Sequence, residues 1–332
     1  MLADKLRACA PASSGPGVTW VYQDGLRTTS WGTATTVTTM AYSGSIFCVA
    51  GEGSGIATSS DGATWTYQSS LASTAWATAG NFATAMLWTG GKFVLIGDRQ
   101  DVASSTDGVT WSVIANLTTG GWPLGGRDYP LGIAQSGSEL VVVGEGGRVS
   151  VSTNSGVTWT YTSNLISTTW STSDCHAVAR SGSVYCVVGE NGRVATSSSG
   201  TSWTYRSSLS ATGWGLSTAR AIVWTGTQFC IAGDGGKIAT SPTGTTWTYQ
   251  AGLRSTAWGT TADCNALVWT GTQFCVLGVS GRVATSPDGI TWTYQPSLSA
   301  TTWSTTTGRA IAWSGSKFCA AGASGRVATS PT

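Results

Sequence analysis

The chain has 332 residues, of which only 10% are charged, and a net charge of +2; ordinary globular domains carry roughly 25% charged residues. That balance argues against a basic nucleic-acid surface and against attraction to an anionic membrane, and no apolar run approaches the roughly 20 residues needed to span a bilayer. Solubility must therefore rest on Ser, Thr, Asn, Gln and Gly.

The first 16 residues, MLADKLRACAPASSGP, form an arm unlike anything that follows. They lack the apolar stretch of a secretory signal, so synthesis in a cytoplasm without export is expected. Residues 17–24 then open with GVTWVYQ, a single β-rich run that has no neighbour to pair with locally.

From here one phrase recurs. Its first tryptophan falls at Trp20, Trp65, Trp111, Trp159, Trp203, Trp247 and Trp292, at intervals of 45, 46, 48, 44, 44 and 45 residues. Its second falls 11 residues later each time, at Trp31, Trp76, Trp122, Trp170, Trp214, Trp258 and Trp303. A fixed period of roughly 40–50 residues marks a propeller or a solenoid.

The longest interval, 48 residues, contains TTGGWPLGGRDYPLG at 118–132. It brings Arg127, Asp128 and Tyr129, which have no counterparts in other repeats. A tolerated loop insertion and a unique contact with a partner protein both account for it. Further on stands His176, the only histidine. One histidine cannot supply a histidine metal cluster, and no partner spacing around it suggests a Ser–His–Asp relay.

Residues 220–250 decide between propeller and solenoid. RAIVW, QFCIAG, KIATS and TWTYQ are four short runs separated by TGT, DGG and PTG. Short β-rich runs joined by tight turns are antiparallel hairpins, and four such strands make one propeller blade. The second run is apolar on both alternating faces, as expected of a strand with a neighbouring blade on each side. At the C-terminal end, residues 309–331 supply three strands of a blade without the fourth. The expectation is an all-β, seven-bladed β-propeller of four-stranded antiparallel blades, spanning 17–332, with the N-terminal strand closing the last blade. Closure of this kind removes exposed sheet edges.

Cys48, Cys186, Cys230, Cys275 and Cys319 share one position of the second strand, where Val94 and Val141 stand in the other two blades. They read as buried reduced thiols behaving as small hydrophobes. Cys175 and Cys264 lie just before a first strand, and Cys9 is in the arm. This usage suits a reducing cytoplasm.

STNSGVTW at 152–159 resembles the Asp-box (BNR-type) repeat of sialidase-like propellers, with Asn154 in place of the aspartate. Asp61, Asp107 and Asp288 match it more loosely, sitting directly before the turn glycine. The resemblance covers all seven blades and implies a structural hairpin between third and fourth strands rather than an activity. The wider phrase, GRVATS followed by DG and TWTY, is also similar to repeats in bacteriophage tail and virion propellers. For a sialidase-like enzyme, the resemblance also implies an arginine triad and a tyrosine nucleophile. Here the arginines mostly recur as scaffold positions would.

The second tryptophan of each repeat lies in the loop to the next blade, on the same face as turns carrying Glu52, Glu145, Glu190 or Asp234 and Arg148, Arg193, Lys237, Arg282 or Arg326. An aromatic plate beside such groups could stack on a sugar. The constant 11-residue offset favours the other reading, a plug in the seam with acid and base closing a local salt bridge. Arg220 and Arg309 share a position with His176 and Asn265 and are expected at the mouth of the central channel.

These features point to a non-enzymatic interaction protein with no cofactor or metal. The functional expectation is a bacteriophage tail component within a larger assembly, contacting other virion proteins or a host-surface glycan. A multivalent lectin built on the seven loop tryptophans is the alternative. A sialidase-like glycosidase ranks third.

Overall fold

A computed structural model describes residues 15–76, 81–123 and 128–330. The described residues form 28 strands in seven four-stranded antiparallel sheets, arranged as the blades of a ring. The first blade consists of β2 (Val37–Tyr42), β3 (Phe47–Gly51), β4 (Ile56–Ser59) and β5 (Thr66–Gln68), paired in chain order. Five blades of the same plan follow. Their first strands are β6 (Ala83–Trp88), β10 (Pro130–Ser136), β14 (Cys175–Arg180), β18 (Ala219–Trp224) and β22 (Cys264–Trp269).

Each second strand is the core of its blade and serves two seams at once. In β19 (Phe229–Gly233), Phe229 and Ile231 pack with Cys186 and Val188 of the preceding blade. Cys230 and Ala232 turn the other way, onto Phe274 and Val276 of the following one. The period of two in a strand makes this division automatic. All seven described cysteines are buried and unpaired, and burial pushes the Cys230 thiol well above its usual range.

The hairpin from third to fourth strand closes each seam. In the first blade, Ser59 Oγ accepts from Gly62 N at 2.8 Å, and Asp61 Oδ1 accepts from the N–H groups of Ala63 and Thr64, both at 2.8 Å. Trp65 is buried, and its Nε1 donates to Gly62 O at 3.1 Å. Gly62 has φ +75°, and a Cβ there would meet Thr329 Cγ2 at 2.9 Å and Cys319 Sγ at 3.4 Å. Only glycine meets both the left-handed backbone and the close approach of the neighbouring blade without strain. The cysteine beneath it belongs to the same contact, which accounts for a small side chain there.

The last blade shows the same hairpin made from the two ends of the chain. It consists of β26 (Gly308–Trp313), β27 (Phe318–Gly322), β28 (Val327–Ser330) and β1 (Val21–Gln23). β1 pairs antiparallel with β28, Tyr22 opposite Ala328. Gly17 N donates to Ser330 Oγ at 2.8 Å, and Trp20 Nε1 to Gly17 O at 2.9 Å, repeating the pattern of Ser59, Gly62 and Trp65 across 313 residues of sequence. Trp20 stacks on Phe318 with ring centroids 6.2 Å apart. The expected closure by the N-terminal strand is therefore present. Residues 1–14 of the arm lie outside the described residues.

Deleting residues 1–24 removes one buried aromatic, worth roughly 1.5–3 kcal/mol, and several ladder hydrogen bonds of about 1 kcal/mol each. Against a total of roughly 5–15 kcal/mol, that deletion is expected to abolish soluble expression, whereas deleting 1–14 leaves a ring that melts like the full chain. Size-exclusion chromatography and thermal melting of the two truncations measure the difference.

The turn aspartates make acid sensitivity a second readout. Burial opposes ionisation of Asp61 and Asp288, but the backbone N–H groups and serine hydroxyls that they accept from hold both below the ordinary carboxylate range. For Asp107 the Thr110 N–H is the leading cause of the same lowering. A folded pKa below the unfolded value of about 3.9 stabilises above that pH, and the contribution is lost as pH falls through the folded value. Replacing Asp61, Asp107 and Asp288 together by Asn is expected to flatten the decline of melting temperature as pH falls below about 4.

Candidate functional site at the channel mouth

The loops that enter each first strand share one face of the ring with the turns between second and third strands. Their conformation is built by local hydrogen bonds. Thr256 Oγ1 donates to Leu253 O at 2.7 Å and accepts from Trp258 N at 3.1 Å, and Trp258 Nε1 donates to Ala262 O at 2.8 Å. The indole packs against two glycines: a Cβ on Gly278 would meet Trp258 Cζ2 at 2.7 Å, and one on Gly236 would meet Trp258 Cδ1 at 2.6 Å.

All seven loop tryptophans share this burial. Trp31, Trp76, Trp122, Trp170, Trp214, Trp258 and Trp303 are buried, none more than 3% exposed. No ring face is open to stack on a sugar, so they plug the seams. The acids and bases beside them also act on the loop. Glu52, Glu190 and Asp234 accept from the backbone N–H of Thr36, Asp174 and Thr218, at 3.0, 3.2 and 3.1 Å. Lys237 donates to Trp214 O at 2.5 Å, Arg282 to Trp258 O and Arg193 to Ser173 Oγ. In the turns of Glu190 and Asp234, two clamps on the incoming loop thus stand where a salt bridge within the turn was expected.

The insertion in the third blade is likewise built into the scaffold. Asp128 is buried, its carboxylate pairs with Arg148 at 2.6 Å, and its carbonyl accepts from Trp122 Nε1 and Gln100 Nε2, both at 3.0 Å. This corrects the reading of Asp128 as a partner contact: its carboxylate is spent on Arg148. Tyr129 is half-buried and sets its ring edge-on to Phe82, centroids 5.9 Å apart. Arg127 lies outside the described residues.

Chemistry that breaks the repeat is gathered instead around the channel. Each of the seven first strands carries an irregularity in register at its start, for example between Cys175 and Ala177 and between Ala219 and Ala221. The residue at the irregularity lines a central cavity of about 490 Å³. Thr38, Thr84 and Leu131 occupy this position on one arc, and His176, Arg220, Asn265 and Arg309 on the other. Bulges commonly re-aim a side chain in this way, and the volume falls within the range of small-ligand sites, roughly 300–1,000 Å³.

The polar arc is charged on both sides. Arg220 Nε meets Asp234 Oδ1 at 2.6 Å, and Arg220 Nη2 meets Asp263 Oδ2 at 3.5 Å. Asn265 Nδ2 donates to Gly308 O at 2.9 Å. Arg309 is exposed and, among the described residues, has no hydrogen-bond or ion-pair partner. Burial and the nearby Arg220 guanidinium lower the His176 pKa, while Asp174, Glu190 and Asp234 pull it up less strongly; the ring is neutral at neutral pH. Among the described residues, no tyrosine lines the cavity.

The expected channel-mouth position of Arg220, Arg309, His176 and Asn265 is therefore observed. Asp174 and Asp263 were not foreseen there. Their signal was available: both stand immediately before a first strand, where the other blades have Thr36, Phe82, Tyr129, Thr218 and Thr307.

No family model and no curated protein sequence matches the chain. Among solved structures, it is similar to YCF48 bound to D1 peptide, with a TM-score of 0.69 and 17% identity over 97% of both chains. A catalytically inactive virginiamycin B lyase from Staphylococcus aureus with quinupristin gives a TM-score of 0.72 at 10% identity, over 94% of this chain and 98% of that one. A chain of the mitotic checkpoint complex gives 0.65 at 11%, over 100% and 98%. At these identities the likeness is one of fold.

If the loop indoles are seam plugs, Trp214→Ala should cost about 3–5 kcal/mol of stability, read by chemical denaturation. A stacking plate exposed to solvent would instead be removed at little cost.

Proposed function

We propose that the chain is a non-enzymatic interaction platform that receives a segment of a partner protein at the charged arc of the channel mouth. Arg309 carries this reading. It is an exposed cation with no partner of its own among the described residues, beside Asn265 and Arg220, at the edge of a cavity open to solvent. An unpaired guanidinium of this kind is suited to a carboxylate, which it can hold through two parallel hydrogen bonds. The neighbouring Asp234 and Asp263 would meet a donor on the same segment. A neutral His176, the Thr and Leu of the opposite arc and a volume of about 490 Å³ suit a few residues of peptide rather than a broad protein face. Propellers of similar fold have been solved with a bound peptide and within a multiprotein complex, which supports the class of partner.

We place this platform in a bacteriophage tail. Support comes from the phage-like style of the repeat, the low charge and a ring closed by its own termini, which suits a rigid part in an assembly. The resemblance of the Ser-Asp-Gly-Thr-Trp turn to the Asp-box belongs with the scaffold in this reading. The multivalent lectin reading rested on exposed indoles and is not carried forward.

Selection of a random peptide library on the immobilised chain is expected to recover sequences with a carboxylate that binds Arg309. Arg309→Gln should weaken those peptides by about 10–100-fold, the equivalent of a charge-assisted hydrogen bond of roughly 1.5–3 kcal/mol. No enrichment over blank beads, or equal binding to the variant, overturns the channel-mouth reading. Mass spectrometry of purified particles tests the location independently, and absence of the chain from them overturns it.

A further inference from the structure

The fourth blade departs from the fifth at one corner of the channel. In the fifth blade, Arg220 places its guanidinium between Asp234 and Asp263, so two carboxylates are met by one fixed cation. In the fourth blade, Glu190 stands where Asp234 does, and His176 stands where Arg220 does. A second carboxylate, Asp174, replaces the Thr218 of the fifth blade. The donor atoms of Asp174, His176 and Glu190 lie within 4.8 Å of one another, and all three residues are half-buried.

Nearby bases are engaged elsewhere. Arg220 is held by its two aspartates, Arg148 by Asp128, and Arg193 donates to Ser173 Oγ. The corner therefore has the negative charge of its neighbour without the guanidinium that balances it.

We infer that Asp174, His176 and Glu190 form a binding site for a divalent transition-metal ion, with zinc the best match to the donors. One imidazole nitrogen and two carboxylate oxygens are a three-ligand set, and a fourth position would be left for water or for a ligand in the channel. Imidazole directs the choice toward zinc and its first-row neighbours rather than calcium or magnesium, which take oxygen ligands. Both carboxylates are already oriented. Asp174 Oδ1 accepts from Gly146 N at 2.9 Å, and Glu190 Oε2 from Asp174 N at 3.2 Å. Such outer hydrogen bonds fix metal-binding carboxylates, and they leave Asp174 Oδ2 and Glu190 Oε1 for the ion. Zinc–oxygen and zinc–nitrogen distances of about 2.0–2.2 Å require the donors to draw together by about 1–1.5 Å. Side-chain rotation supplies that, because all three residues are only half-buried and His176 lines the channel.

The test uses the tag-free full chain and zinc chloride, followed by isothermal titration calorimetry. One equivalent per chain is expected for the wild type and for Arg99→Gln, which removes an exposed cation two blades away. His176→Gln and Glu190→Gln should each weaken binding by at least about 10–100-fold, the loss that even an outer-shell partner gives, while their thermal melts without metal match the wild type. Cobalt(II) gives an independent readout: its visible d–d absorption should appear at one equivalent, without the thiolate charge-transfer band that cysteine ligation would produce. The inference is overturned if zinc does not bind stoichiometrically, if His176→Gln binds as tightly as the wild type, if calcium competes on equal terms, or if the cobalt spectrum carries the thiolate band. Should a variant fail to fold, the cobalt spectrum of the wild type decides alone.

Discussion

A second strand with no polar face cannot be folded in isolation. Phe229, Cys230, Ile231 and Ala232 are all fully buried, two on each side of their sheet, so a blade standing alone would expose one apolar face to water. Burial of that surface drives the blades together, and it is satisfied only when every blade has two neighbours. An open array would leave two faces bare, whereas a closed ring leaves none. The rest of the architecture follows from this requirement. The turn glycine must approach the neighbouring cysteine, the first tryptophan must cover the seam while bonding the glycine carbonyl, and the last blade must borrow Val21–Gln23 from the other end of the chain.

Repetition also separates scaffold from site. Residues that hold the seams recur in almost every blade, because each seam poses the same packing problem. Asp61, Asp107 and Asp288 fill one turn position, and Asn154 fills it with a neutral oxygen that accepts from Thr158 N at 2.8 Å; the geometry needs an acceptor rather than a charge. The ring of first-strand residues is different. Thr38, Thr84, Leu131, His176, Arg220, Asn265 and Arg309 occupy equivalent positions with five different side chains between them, which no common packing role would require.

Strand period, turn spacing and the mismatched ends made the seven blades and their closure legible in the sequence. Periodicity reports burial well when a strand alternates or conspicuously fails to. It did not reveal how the loop tryptophans are accommodated, because a tryptophan in a loop can cover a seam or present a face. What settles the matter lies far away in sequence: Gly236 and Gly278 give up their side-chain volume to Trp258. The destination of the turn acids was hidden for the same reason. A Glu three residues before an Arg looks like an ion pair on paper, yet in the fourth blade the incoming loop engages both, Glu190 through Asp174 N and Arg193 through Ser173 Oγ. The role of Asp128 stayed open between loop insertion and partner contact because its partner, Arg148, is on the far side of a strand pair.

The channel mouth can vary because of where its side chains are attached. Ordinary strand positions at the start of each blade alternate between the two seams, and a new side chain there would disturb packing on one side. The irregular register at this point takes one residue per blade out of that alternation and turns it toward the channel. A bulged residue has no cross-strand partner to match, so its size and charge are free of the strand alternation, though Thr38 and Asn265 still donate to Ala83 O and Gly308 O of the next blade. The same irregularity recurs in blades whose lining residue is a threonine, a leucine or an arginine. A ring of seven near-identical blades thereby carries seven independently chosen groups around one cavity, and the chemistry of the mouth can change while the apolar contacts that close the ring stay as they are.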